Sequence, residues 1–199
     1  MRAFFQPKYK SLTDEELAKR SASGDERAFE VLYERFSKPL LRYFMKMLRN
    51  DRDFAEDQVQ DLFMKLINKP ESFDASRSFK TWIFSVAHNQ CKNVYRHEAV
   101  VEAASSTIAL DLRESELSFS EKRHDFNAFQ DALAHVLNEL DVDRRTTFLL
   151  RYEQELSIKE ISECMQCSEG TVKSRLFYTL KILSERLGAF KNLLFTDKK

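Results

Sequence analysis

Residues 156–183, LSIKEISECMQCSEGTVKSRLFYTLKIL, are the most informative run in this chain. Ser157 is an N-cap whose hydroxyl can accept from a first-turn amide. Ile158, Ile161 and Met165 then recur at three- and four-residue spacing, which is one face of a short helix. A tight turn follows at Met165-Gln166-Cys167-Ser168, and Ser168 caps a longer helix with Val172, Leu176, Leu180 and Leu183 inward. A short helix, a turn of about four residues and a longer capped helix describe a helix-turn-helix, whose second helix enters the major groove. The outward residues at its start are Glu169, Thr171, Lys173, Ser174, Arg175, Phe177 and Tyr178. They offer hydrogen-bonding, basic and aromatic groups suited to phosphates and base edges. Any αα-hairpin with a charged face shares part of this pattern. The spacing together with the run from Ser168 to Arg175 favours nucleic acid.

Upstream of this motif, Phe126, Phe129, Leu133, Val136 and Leu140 form a helical stripe. Asp143 can cap the next helix, which is expected to bury Phe148, Leu149 and Tyr152. Before it lies an acidic segment, residues 99–125, with 3 basic and 6 acidic side chains, many Ser and Ala and few aromatics. That is linker composition. Residues 1–98 carry 18 basic and 15 acidic groups, and residues 126–199 carry 11 of each.

The N-terminal block reads as a helix bundle. Thr13 to Glu16 fits a capping box. Gly24-Asp25 is a stop followed by a second cap. From there Phe29, Leu32, Tyr33, Phe36, Leu40, Tyr43, Phe44 and Met47 mark one amphipathic helix, or two bent near Pro39. Asp53 is the expected cap of a third helix with Ala55, Val59, Leu62, Phe63, Leu66 and Ile67 on one face, ended by Pro70. A fourth begins near Arg77 and turns Phe79, Trp82, Ile83, Val86, Cys91 and Val94 inward. Its other face carries Ser85, His88, Asn89, Lys92 and Arg96. These can address bases and phosphates, although an ordinary solvated face would look much the same. The loop from Pro70 to Arg77 sets small polar residues beside Phe73, which suits an unstacked base. Taken alone it is simply a loop.

Composition narrows the alternatives. The chain has 199 residues, balanced at 32 basic and 32 acidic groups, with 43% apolar residues and only three Gly and three Pro. So few breakers argue against an all-β sandwich or barrel. Three Cys and the polar start MRAFFQPKYK argue against a disulfide-stapled secreted domain and an export signal. No apolar run approaches the roughly 20 residues of a membrane span. The expectation is a cytoplasmic, all-α protein of two small helical domains joined by a flexible acidic linker: 1–98, linker 99–125, and 126–199.

In this order and spacing the motifs resemble a sigma-70 family RNA polymerase sigma factor of the small, extracytoplasmic-function type. Residues Ala55 to Phe63 are similar to its core-polymerase-binding helix, Phe79 to Asn89 to its promoter-melting and −10-reading helix, and Ile158 to Leu176 to its −35-reading helix-turn-helix. The resemblance implies a non-catalytic specificity subunit with core RNA polymerase, promoter DNA and an anti-sigma factor as partners, and no cofactor or metal. It implies core binding by Asp57, Gln60, Asp61 and Phe63, with Phe63 as the anchor. It implies −10 contacts by Phe73, Ser76, Arg77, Trp82, Ser85, His88, Asn89, Lys92 and Arg96. The −35 set is Ser168, Glu169, Thr171, Lys173, Ser174, Arg175, Phe177 and Tyr178. Three positions depart from the family pattern: Ser85 and Tyr178 stand where basic residues are common, and the turn at 165–168 lacks the usual Gly. Such changes alter which promoter is read rather than whether one is read.

Two other readings compete. Cys164 and Cys167 form a C-x-x-C, and His88 lies near Cys91, which would suit an enzyme or a metal site. A structural zinc site needs four ligands, and only this one Cys pair is present. Cys167 is better read as a small apolar filler, and His88 as a polar surface residue. A one-component regulator would instead bind an operator as a dimer through the same helix-turn-helix.

Overall fold

The computed structural model describes residues 9–48, 51–104 and 124–190. Among these the chain is all-α. Its helices are α1 (Asp14–Ala22), α2 (Glu26–Met47), α3 (Arg52–Asn68), α4 (Phe79–Ala104), α5 (His124–Glu139), α6 (Val142–Tyr152), α7 (Ile158–Met165) and α8 (Glu169–Arg186). Single 3-10 turns lie at Pro70–Ser72 and Gly188–Phe190.

Local chemistry sets most of the boundaries. Thr13 and Glu16 close a reciprocal capping box on α1. Gly24 then takes φ 87, a left-handed turn that glycine enters without a Cβ clash, and Asp25 accepts from the amides of Arg27 and Ala28 to start α2. α2 runs through Pro39 as one helix. Its long buried face of Val31, Leu32, Phe36, Leu40, Tyr43, Phe44 and Met47 outweighs the one lost backbone bond. Asp51, rather than Asp53, caps α3, accepting from Phe54 N at 3.0 Å. Asp141, rather than Asp143, caps α6, accepting from Arg144 N at 2.9 Å. In both places two aspartates stand two residues apart. The earlier one takes the cap, and the later one, already inside the first turn, faces the positive end of the helix dipole.

The α1–α4 bundle buries Leu17, Leu32, Leu40, Phe44, Leu62, Phe79, Ile83 and Phe84 completely. Four side chains expected inside are exposed: Tyr33, Ile67, Tyr152 and Leu180. Each sits at the flank of its helix's apolar stripe. In α8 the inward spacing runs Val172, Leu176, Thr179, Leu183, so Thr179 takes the core position and Leu180 turns outward. α4 continues six residues past position 98, so residues 99–104, expected as linker, are helical, as are 124 and 125. The rest of the expected linker, 105–123, and the side chain of Phe126 lie outside the described residues.

The two helical regions touch. α4 packs against α7, and α2 against α5 and α6. Buried Arg145 ties them together. It donates to the carbonyls of Lys46 and Met47 at 3.4 Å, and to those of Asn138 and Leu140 at 2.6 and 3.2 Å. One guanidinium thus satisfies orphan carbonyls at the C-termini of α2 and α5.

Candidate nucleic-acid interface

The loop after α3 is pinned by aromatic packing. The Phe73 ring lies 5.1 Å from Phe79 and 5.3 Å from Trp82, and Trp82 Nε1 donates to Ser72 O at 3.0 Å. Phe73 and Trp82 are therefore half-buried supports. Between them, Asp74, Ala75, Ser76 and Arg77 stand exposed on an Asx turn, with Ser76 N donating to Asp74 Oδ1 at 2.9 Å. Those bonds from Ser76 hold the Asp74 carboxyl below its ordinary range. The N-terminus of α4 is closed by Glu15, which accepts from Phe79 N at 2.9 Å. Loop and helix are thereby fixed to the bundle before any ligand arrives.

Along α4, Asn89, Lys92 and Arg96 are exposed on one stripe. Ser85 is half-buried and donates to Trp82 O at 2.7 Å. His88 departs from the surface role expected of it: its ring is 3% exposed, packed against Thr146 and Asp143 of α6. The residue lies at the edge of the polar stripe, and contact with α6 draws it in.

On α3 the expected anchor is also inside. Phe63 is 2% exposed, with its ring 5.8 Å from Phe29 and 4.8 Å from Tyr33. Asp57, Gln60 and Asp61 are exposed as expected, and the apolar groups beside them are Met64 and Ile67, 52% and 50% exposed. Sequence reasoning missed these two. The signal was available, because Met64 lies one helical turn beyond Gln60 and Asp61, on the face opposite Val59 and Leu66.

The helix-turn-helix is held by its own caps. Ser157 and Glu160 form a capping box, whose bonds keep the Glu160 carboxyl below its ordinary range. Gln166 takes the left-handed conformation, φ 52, that the turn requires, and Ser168 accepts from Thr171 N at 3.0 Å. Glu169, Lys173, Ser174, Phe177 and Tyr178 are exposed, and the last two rings pack edge to face at 5.4 Å. Thr171 is half-buried, and its hydroxyl lies 2.9 Å from that of Ser168. Arg175 is tied down, donating to Asp143 of α6 and to Cys167 Sγ at 3.7 Å. Cys164 is buried and its thiol is pushed up to about 12 by burial, as is that of Cys91, so neither is a thiolate at neutral pH. Among the described residues no group of three or more His, Cys, Asp or Glu could hold a metal ion, and no helix is long and apolar enough to cross a membrane.

Residues 32–100 match the family Sigma-70 region 2, and residues 130–183 match Sigma-70, region 4. The chain belongs to the sigma-70 family, as an extracytoplasmic-function sigma factor. This sigma factor is 27% identical to the ECF RNA polymerase sigma-E factor of Haemophilus influenzae over 88% of its own length and 96% of that protein. It is 24% identical to the ECF RNA polymerase sigma factor SigX of Bacillus subtilis, over 87% and 90%. Among solved structures it resembles CnrH, in complex with the cytosolic domain of CnrY, at 25% identity and TM-score 0.66, covering 88% of this chain and 97% of that one. Its fold also matches the sigma factor RpoE of Bartonella quintana, in complex with the anti-sigma factor NepR, at 23% identity and TM-score 0.60 over 85% and 99%. The sigma factor therefore binds RNA polymerase and recognises promoters.

Proposed function

We propose how the surfaces divide that work. α1–α4 (region 2) binds core polymerase through the exposed face of α3, with Asp57, Gln60 and Asp61 setting register and Met64 and Ile67 supplying the apolar anchor. Charged rims fix orientation, and buried apolar anchors carry most interface energy. The loop 74–77 and the stripe Ser85, Asn89, Lys92 and Arg96 engage the −10 element, supported from behind by Phe73 and Trp82. Moving a base out of the stack costs a few kcal/mol, which contacts in a pre-formed loop can offset. α5–α8 (region 4) reads the −35 element with Glu169, Thr171, Lys173, Ser174, Phe177 and Tyr178. Arg175 positions α8 through Asp143 rather than contacting DNA, and Ser168 serves as its cap. The chain acts as a specificity subunit without catalysis of its own, in the cytoplasm where polymerase works. An anti-sigma factor is a further partner under this reading, and the RpoE neighbour, solved with one, supports it.

The observation that carries the assignment is the exposure of an acidic and apolar α3 face together with a helix-turn-helix of open recognition surface in one short chain. Pull-down with bacterial core polymerase followed by run-off transcription on genomic fragments tests it. Start sites that depend on this protein are the expected result. Sequence-specific operator binding as a dimer, without polymerase, would instead establish a one-component regulator.

A further inference from the structure

We propose that the free protein is held shut by a proton-sensitive latch at the seam between its two regions, with His88 as the sensing side chain, and that mild acid opens it. The proposal rests on the reading of α4 as a DNA-facing helix only for what opening exposes; the latch itself is a matter of contacts.

His88 leaves α4 and enters the other region. Its Nδ1 lies 3.2 Å from the Thr146 hydroxyl, and its Nε2 lies 3.9 Å from Asp143 Oδ1. The Thr146 hydroxyl is also 3.3 Å from the Tyr43 phenol. The second oxygen of Asp143 accepts from Arg175, on the recognition helix α8. A single carboxylate thus stands between the two helices assigned to DNA. Elements at −35 and −10 are about 25 base pairs apart, roughly 85 Å along a duplex. Helices that share one aspartate cannot span that distance, so the seam must part before both elements are read.

The surroundings of the ring decide what a proton does there. Burial is the largest influence and lowers His88 to about 4. Asp143 acts in the opposite sense, but it already holds Arg175, and the charges of Arg175 and of Lys92 on α4 add to the lowering. At the seam Arg145 of α6 is held by the carbonyls of Lys46 and Met47, and Lys46 of α2 pairs with Glu153 after α6 at 2.5 Å. Three more titratable groups lie there, Tyr43 on α2, Cys91 on α4 and Cys164 on α7. Burial raises all three, so they stay neutral in mild acid. Once the seam opens, the imidazole regains water and an ordinary value near about 6.5. The closed state then binds fewer protons than the open one. Its stability is complete above about pH 6.5 and is lost as pH falls toward about 4, the closed-to-open ratio dropping about tenfold per pH unit. Arg145 Nε, buried and without a partner in the closed form, gains water on opening.

Small-angle scattering of the full-length protein between pH 7.5 and pH 5 tests the latch, with circular dichroism confirming unchanged helicity. The radius of gyration of the unaltered protein is expected to rise below about pH 6.5. His88→Gln, which cannot take the proton, should stay compact throughout. His88→Lys, charged at every pH used, should be expanded already at pH 7.5. A constant radius in the unaltered protein, an equal rise in His88→Gln, or a compact His88→Lys would each overturn the proposal. Polymerase-dependent transcription by the unaltered protein is measured separately, so failure of the latch and failure of the sigma-factor assignment give different results.

Discussion

Phe63 and Met64 are neighbours in sequence with different surroundings, one buried in the aromatic cluster with Phe29 and Tyr33, the other exposed to solvent. Their substitutions should therefore separate stability from binding. Phe63→Ala is expected to cost about 3–5 kcal/mol of stability, the cost of emptying a packed aromatic site. Met64→Asp should leave the free energy of unfolding in urea within about 0.5 kcal/mol of the parent and weaken affinity for core polymerase at least about tenfold. A folded Met64→Asp variant with unaltered core affinity would remove α3 from the polymerase interface. A second pair sits on α8. Lys173 is an exposed cation whose 3.8 Å pair with Glu169 is worth little. Lys173→Ala should weaken holoenzyme binding across all promoters alike and reduce the salt slope by about 1. Phe177, 65% exposed, has no charge to offer a phosphate, and its ring suits a thymine methyl. Phe177→Ala should change promoter ranking in a randomised −35 selection while leaving that slope unchanged.

The short helix α7 depends on its ends. At eight residues it is too short to persist by propensity alone, so its capping box and the turn after it set its stability. Ser157→Ala should destabilise the protein by about 1 kcal/mol. Gln166 pays for a left-handed backbone that glycine adopts freely, so Gln166→Gly is expected to stabilise by roughly 0.5–1 kcal/mol. Urea unfolding of both variants checks the pair, and equal signs for the two would contradict the cap geometry. In α3 and α6 the competing aspartates have different tasks. Asp51 and Asp141 make the caps, and Asp143 is released to hold Arg175.

The whole molecule balances its charges at 32 and 32, so it brings no net positive field to a duplex. Its two DNA-reading regions are also packed on each other through Tyr43, His88, Arg145 and Thr146. The free protein should therefore bind promoter DNA weakly. Core polymerase, by holding the regions on one duplex, should raise affinity by roughly 10²–10⁴-fold through effective concentration. A gel-shift titration at physiological salt, with and without core enzyme, measures the difference. Nanomolar, sequence-specific binding by the protein alone would contradict both the charge argument and the packed seam.

The helix starts and stops, the bundle and the helix-turn-helix were legible in residues such as Thr13, Asp25, Ser157 and Ser168. Caps, apolar periodicity and turn chemistry act within a few residues, so the linear order carries them. The open face of α8 was legible for the same reason. Sequence could not say which of two aspartates caps a helix, since both have the chemistry and the position of the first turn chooses. The periodicity of α3 already set Phe63 on its apolar face and Met64 off it, but it could not say that Ile67, on the flank of that stripe, stays exposed, because that depends on which other helices arrive to cover it. The burial of His88 was furthest from view. A polar residue on a polar helix face is drawn inside only when Asp143 and Thr146, more than fifty positions away, come to meet it, and only tertiary packing makes that choice.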